Sequence, residues 1–237
     1  MLTKQQIKET QKLLRDKTAQ EIIKWALENI GVEKLAFASS LSIEDQVITD
    51  MLIKENKKAQ IFTLDTGRLP QETYDLIQKT REFYKINYEI LFPDEKDVEE
   101  MVKELGPNLF YDSIENRKKC CEVRKVRPLR RRLEKVEAWI CGLRKEQSVT
   151  RHAIEKIEWD DTFGLVKINP ISDWSQKDVW DYIKKHKVPY NKLYDKGYTS
   201  IGCAPCTRPI KEGEDVRAGR WWWEDPEHKE CGLHNKK

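Results

Sequence analysis

The chain has 237 residues, 36% charged and 38% apolar, with 44 Lys and Arg against 41 Asp and Glu and a formal net charge of +3. That length suits one well-buried domain with or without a functional tail, and the balanced charge excludes a non-specific nucleic-acid binder. No apolar run approaches the ~20 residues of a membrane span and residues 1–16 lack a signal-peptide core, so a cytoplasmic protein with no nucleic-acid or membrane partner is expected. Thiols stay reduced there, and six cysteines then argue for metal ligation or catalysis rather than a disulfide framework. Basic residues gather from Arg117 to Arg132 and from Arg208 to Arg220, a local positive charge that suits a small anionic ligand.

In chain order, residues 4–30 read as helix, with a capping box at Thr18-Ala19-Gln20-Glu21 and an apolar face from Ile22 to Ile30. Leu35-Ala36-Phe37-Ala38 reads as a buried strand, followed by the turn Ser39-Ser40-Leu41-Ser42 and a helix opened by a second capping box, Ser42 with Asp45. A strand, a hydroxyl-rich turn and a helix N-terminus form a candidate anion site, although a plain serine cap explains the pattern as well. The rhythm repeats in Gln60-Ile61-Phe62-Thr63-Leu64, the loop from Asp65 to Leu69, and Pro70 opening a helix. A third strand is expected over 87–92 and a helix over 97–105.

Residues 116–126 read as helix, with a break favoured by Pro128. A strand over 136–143 contains Cys141, read as a small buried hydrophobe, and a cationic loop begins at Arg144. A strand over 163–168 and a helix over 175–186 with Val179, Trp180 and Ile183 inward complete the core. The expected fold class is α/β, a doubly wound, mostly parallel sheet with ligands at the carboxyl ends of its strands. The expected division is an N-terminal helical segment 1–32, a nucleotide-binding core 33–199 and a C-terminal segment 200–237. No glycine-rich dinucleotide fingerprint and no Walker A motif is present.

The cysteines narrow the chemistry. Cys203 and Cys206 form a C-x-x-C pair, Cys120 and Cys121 are adjacent, and Cys231 stands apart near Arg217, Arg220, His228 and His234. Four thiolates complete a tetrahedral zinc site or a [4Fe–4S] cluster. Adjacent residues on a helix point about 100° apart, which suits an object several ångströms wide better than one ion. Nearby cations would lower the Cys231 thiol towards neutrality, making it the candidate nucleophile; an incidental tail cysteine is the plain alternative.

The motifs Ser39-Ser40-Leu41-Ser42-Ile43-Glu44-Asp45, Leu64-Asp65-Thr66-Gly67, Cys120-Cys121-Glu122-Val123-Arg124-Lys125, Gly142-Leu143-Arg144, Cys203-x-x-Cys206 and Glu230-Cys231-Gly232-Leu233-His234 resemble those of the iron–sulfur-bearing assimilatory adenylyl-sulfate (APS) reductases, relatives of the phosphoadenylyl-sulfate (PAPS) reductases. The resemblance implies an adenine nucleotide alpha hydrolase-like fold and a [4Fe–4S] cluster on Cys120, Cys121, Cys203 and Cys206. It implies adenosine binding at Ser39, Ser40, Ser42, Leu64, Asp65 and Thr66, and phosphosulfate binding at Lys125, Arg144, Arg217 and Arg220. Cys231 would attack the substrate sulfur, and reduced thioredoxin would release sulfite. Some cluster-bearing members accept both APS and PAPS, so dual use stays open, as does homo-oligomer formation. Two other readings stand beside it. One is a nucleotide-activating enzyme such as an ATP pyrophosphatase or an iron–sulfur tRNA sulfur-transferase, for which a glycine–serine loop would be expected in place of Ser39-Ser40-Leu41-Ser42. The other is a non-catalytic zinc module.

Overall fold

In the computed structural model, residues 2–147 and 154–225 are described. A six-stranded sheet has the order β3-β2-β1-β4-β6-β5, with β1 Leu35–Ala38, β2 Gln60–Leu64, β3 Glu89–Leu91, β4 Ala138–Ile140, β5 Ile157–Asp160 and β6 Leu165–Ile168. β1 pairs in parallel with both β2 and β4, Phe37 standing opposite Ile61 and Ile140, and β4 pairs in parallel with β6. These central strands are near-continuous apolar runs because helical crossovers cover both faces of a parallel sheet. The expected α/β class is therefore present. β5 was not foreseen: it runs antiparallel to β6 at the sheet edge, and its alternating Ile-Glu-Trp-Asp lacks the apolar run that marks its neighbours.

Eight α-helices accompany the strands among the described residues: α1 Lys4–Leu14, α2 Ala19–Asn29, α3 Ile43–Glu55, α4 Gln71–Tyr84, α5 Glu95–Leu105, α6 Ile114–Cys121, α7 Arg127–Leu133 and α8 Gln176–His186. The single helix expected over 4–30 is two helices. Thr18 caps α2 with Glu21 reciprocating, and a cap residue has extended backbone, so a helix cannot run through it. Thr3 and Gln6 form an equivalent box before α1. The expected break near Pro128 takes another form. α6 ends at Cys121, a π-helical turn spans Glu122–Val126, and α7 proceeds through the proline. Arg127 N–H donates to Glu122 O, five residues back. The wider turn removes the regular bonding that proline would have broken.

The expected strands over 87–92, 136–143 and 163–168 are each trimmed to the segments above. Cys141 lies just past β4, its N–H bonded to Ile168 O at 2.9 Å, and is buried as expected. In α8, Val179, Tyr182 and Ile183 are buried, whereas Trp180 is half-buried against the Tyr190 ring. None of the described helices is long and apolar enough to cross a membrane.

Two compact units divide the chain: 1–63, 75–89 and 133–191 form the first, and 64–74, 90–132 and 192–237 the second. In the first unit α3 packs against α2 and α8, and α1 against β5. Fully buried Gln46 ties this core together, donating to Thr80 Oγ1 at 2.9 Å and Pro189 O at 2.8 Å. In the second unit Met101, Leu109, Phe110, Val123 and Trp221 pack around Cys120, Cys121, Cys203 and Cys206.

Candidate active site

In the first unit the order of strands reverses direction between β1 and β4, the place where such sheets bind ligands at their carboxyl ends. The serine turn leaves β1 there, with Leu41 in the left-handed region at φ 63°. Ser39 N–H donates to Phe62 O at 2.8 Å, and Ser39 Oγ accepts from Leu41 N at 3.2 Å. Ser42 is the N-cap of α3, its Oγ accepting from Asp45 N at 3.4 Å. The reciprocal half of the expected capping box is absent: Asp45 Oδ2 accepts instead from Ser40 N at 2.6 Å and Ser40 Oγ at 2.5 Å. Asp45 is buried, and burial pushes its carboxyl up to about 6 against the opposing pull of the Ser40 bonds. Glu44 is buried beside it. Two acidic side chains in the first turn already complement this helix N-terminus, which makes it a poorer phosphate cradle than the sequence pattern implied.

Past β4, Gly142 is needed for space: a Cβ there would drive into the Asp45 carboxylate. Arg144 is 5% exposed, and its Nε and Nη2 donate to Glu44 Oε1 at 3.0 and 2.9 Å. Its Nη1 reaches Trp174 O at 3.3 Å. Arg144 thus braces the β4 loop to the start of α3 and brings less free charge than an exposed cation would.

In the second unit Leu64 ends β2, and buried Asp65 and Thr66 follow. Asp65 Oδ1 accepts from Gly67 N at 2.8 Å and Tyr74 O–H at 3.0 Å, which holds the loop closed. Thr66 Oγ1 lies 3.2 Å from Cys203 Sγ, and Thr66 O accepts from Arg124 Nη1 at 2.7 Å. Cys203 and Cys206 flank a short 3-10 turn containing Pro205 and fastened by Cys206 N→Cys203 O and Thr207 Oγ1→Cys203 O, at 3.0 and 2.9 Å. Cys120 and Cys121 close α6. All four thiols are buried and line one pocket with Arg68, Phe110, Arg117, Arg124, Lys125, Pro205 and Trp221.

The four thiols are not alike. Burial pushes Cys120 up, with Arg124 offsetting part of it. Burial and the neighbouring Cys203 push Cys206 up to about 11. Burial would raise Cys203 as well, but Lys125, the Thr66 hydrogen bond and Arg220 outweigh it and the thiol lies below its ordinary value. Metal ligation requires thiolates, so cations at this spot favour it.

Among the described residues no group of three or more His, Cys, Asp or Glu is gathered as a single metal ion requires. The donor set and its surroundings do fit a broader anionic, sulfur-rich group. Four thiols converge on a cation-lined pocket, and among the described residues the buried Arg124 Nε and Trp221 Nε1 have no hydrogen-bond partner. The chemistry of this donor set fits a [4Fe–4S] cluster on Cys120, Cys121, Cys203 and Cys206 better than a single zinc ion.

Of the other expected residues, Arg220 is 8% exposed, with its guanidinium 4.6 Å from the Trp221 ring centroid. Gly202 makes room for it, since a Cβ there would lie 2.5 Å from Arg220 Nη2. Half-buried Arg217 accepts at its carbonyl from Arg220 N at 2.9 Å, so the two belong to one turn. Cys231, His228 and His234 lie outside the described residues. Sequence reasoning missed the wall residues Arg68, Arg117 and Trp221 and the pairing of Arg117 with Glu224. The basic cluster that begins at Arg117 and the consecutive Trp221-Trp222-Trp223 were the available signals.

A family model described as phosphoadenosine phosphosulfate reductase domain matches residues 34–209. The chain is 52% identical over 205 residues to a protein of Allochromatium vinosum named adenosine 5'-phosphosulfate reductase, covering 86% of this chain and 80% of that one. A Pseudomonas aeruginosa protein of the same name is 44% identical over 227 residues, covering 93% and 84%. Among solved structures, the phosphoadenylyl-sulfate reductase of Candida auris, in a phosphate complex, has a TM-score of 0.76 at 31% identity and covers 88% of this chain and 98% of its own. A Candida glabrata FMN adenylyltransferase in complex with FAD and pyrophosphate has a TM-score of 0.56 at 15% identity, covering 92% and 74%, a likeness of fold alone. With three quarters of its length inside the family model and near relatives of comparable size, the chain belongs to the phosphoadenosine phosphosulfate reductase family.

Proposed function

We propose that this protein is an oxidoreductase acting on a sulfur group, which reduces adenosine 5'-phosphosulfate to sulfite and AMP in sulfate assimilation, using a protein dithiol of the thioredoxin type. The observation that carries this reading is the identity of about 50% to proteins named adenosine 5'-phosphosulfate reductase. The four-thiol pocket adds to it. The reduced thiols that the reaction requires support a cytoplasmic location.

The nucleophile is Cys231. Its thiolate attacks the substrate sulfur, the bond from sulfur to the bridging phosphate oxygen breaks, AMP departs, and the enzyme is left as an S-sulfocysteine. A thiolate of the reductant then attacks Cys231 Sγ and sulfite leaves with the bonding pair, giving a mixed disulfide that the second reductant thiol resolves. The two electrons come from the dithiol. Negative charge grows on the phosphate oxygens as the bond breaks, so fixed cations speed the step. Lys125, Arg144, Arg217 and Arg220 take that part. Ser39, Ser40, Ser42, Leu64, Asp65 and Thr66 hold the nucleoside. The division into 1–32, 33–199 and 200–237 then separates a packing segment, a nucleotide core and a catalytic tail. A [4Fe–4S] cluster on the four cysteines would supply a fixed charge distribution and a tie between α6 and the Cys203–Cys206 turn.

The test is sulfite release from APS and PAPS, side by side, with reduced thioredoxin under anaerobic conditions. Activity on APS alone is expected. Comparable rates on both would mean that the site tolerates a 3'-phosphate, and silence on both with iron bound would refute the proposal.

A further inference from the structure

A deeply buried ion pair among the described residues of the second unit has no part in the reaction just described. Arg117 sits on α6, three and four residues before Cys120 and Cys121. Its Nε and Nη2 donate to Glu224 Oε1 and Oε2 at 2.9 and 2.7 Å, a bidentate pair with side chains 1% and 3% exposed. The same guanidinium stacks on Trp221, 4.6 Å from the ring centroid. Burying two charges has a large desolvation cost and is weak evidence of a stabilising role, so the pair calls for another reason.

Its place in the chain supplies one. Up to Trp221 the C-terminal segment is held by its own backbone: Arg208 N→Gly219 O at 3.0 Å, a bridge between Thr207 and Arg220, and Trp221 N→Cys206 O at 3.3 Å. Glu224 is the last of the described residues joined to these ties, its N–H donating to Trp221 O at 2.8 Å, and its side chain adds the pairing with Arg117. Seven residues further on is Cys231. Bidentate pairing fixes direction as well as distance, which a lysine or an apolar contact does not. We infer that Arg117 and Glu224 are positioning residues that set the root of the segment bearing Cys231 relative to the cysteine-bearing end of α6. This rests on Cys231 being the nucleophile. Reacting atoms must come within about 3–3.5 Å, and a misplacement of 1 Å can cost about a hundredfold in rate. A loosened root should therefore lower the rate of sulfur attack and leave substrate affinity alone, because Arg220 is held upstream by the backbone ties.

The experiment compares Glu224→Gln with wild type in steady-state assays with APS and reduced thioredoxin, alongside iron content and absorbance near 400 nm. A fall in kcat of at least tenfold is expected, with KM for APS within twofold and iron unchanged. A single turnover without reductant should show AMP release slowed to the same extent. An unchanged kcat, or a raised KM with kcat intact, would overturn the inference. Should Glu224→Gln not fold, Arg117→Leu with Glu224→Leu replaces the pair by apolar groups, an exchange that buried pairs often tolerate. A folded, iron-loaded double variant with full kcat would overturn the inference, and one with reduced kcat would support it. Cys231→Ser separates the two layers: residual turnover there would refute the nucleophile itself, whereas an inactive Cys231→Ser beside a fully active Glu224→Gln would refute only the positioning role.

Discussion

Replacing Asp45 by asparagine probes the serine turn through its pH dependence. In the folded protein burial raises this carboxyl from 3.8 to about 6, so the folded state holds the proton more tightly than the unfolded chain does. The contribution to stability is then complete below pH ~4 and is lost as pH rises through about 6. At 1.36 kcal/mol per pKa unit the loss amounts to about 3 kcal/mol. Asparagine is nearly isosteric and cannot ionise, so it removes that loss. It keeps one acceptor oxygen for Ser40 and gives up at most one neutral hydrogen bond, about 1 kcal/mol. Urea unfolding of both proteins between pH 4 and pH 8, at fixed ionic strength, isolates the effect as a difference. The variant should be slightly less stable than wild type at pH 4 and about 2 kcal/mol more stable at pH 8, with the crossover between pH 4 and pH 6. A stability difference that stays constant across the range would refute the claim that burial dominates at Asp45.

Cys203→Ser should lose bound iron and the absorbance near 400 nm, and iron content equal to wild type would remove Cys203 from the ligand set. Gly202→Ala should displace the Arg220 guanidinium, which a Cβ would approach to 2.5 Å. If Arg220 holds the phosphosulfate, KM for APS should rise at least tenfold, about 1.4 kcal/mol of binding, with iron retained. Loss of iron in that variant would instead place the damage at the neighbouring Cys203.

Near neighbours made the first parts of this protein legible from sequence. The strands β1 and β2, the Thr18 cap, the start of α3 and the buried state of Cys141 depend on apolar runs and on side chains within a few residues, and these are determined locally. The sequence also singled out the four cysteines and Cys231, because thiol spacing constrains metal and nucleophile chemistry and because the motifs resemble one family. It could not show that Cys120, Cys121, Cys203 and Cys206 line one pocket, since nothing local relates α6 to a turn some eighty residues later. The tertiary structure decided that, and it decided the choices between competing partners. Asp45 turned from Ser42 to Ser40 because the turn with Leu41 in the left-handed region brings the Ser40 N–H and hydroxyl to it. The proline at 128 was absorbed by a π turn instead of ending the helix. Arg117 met Glu224 across 107 residues. Each of these outcomes is a competition between a local preference and packing, and the packing contribution exists only once distant segments are in contact.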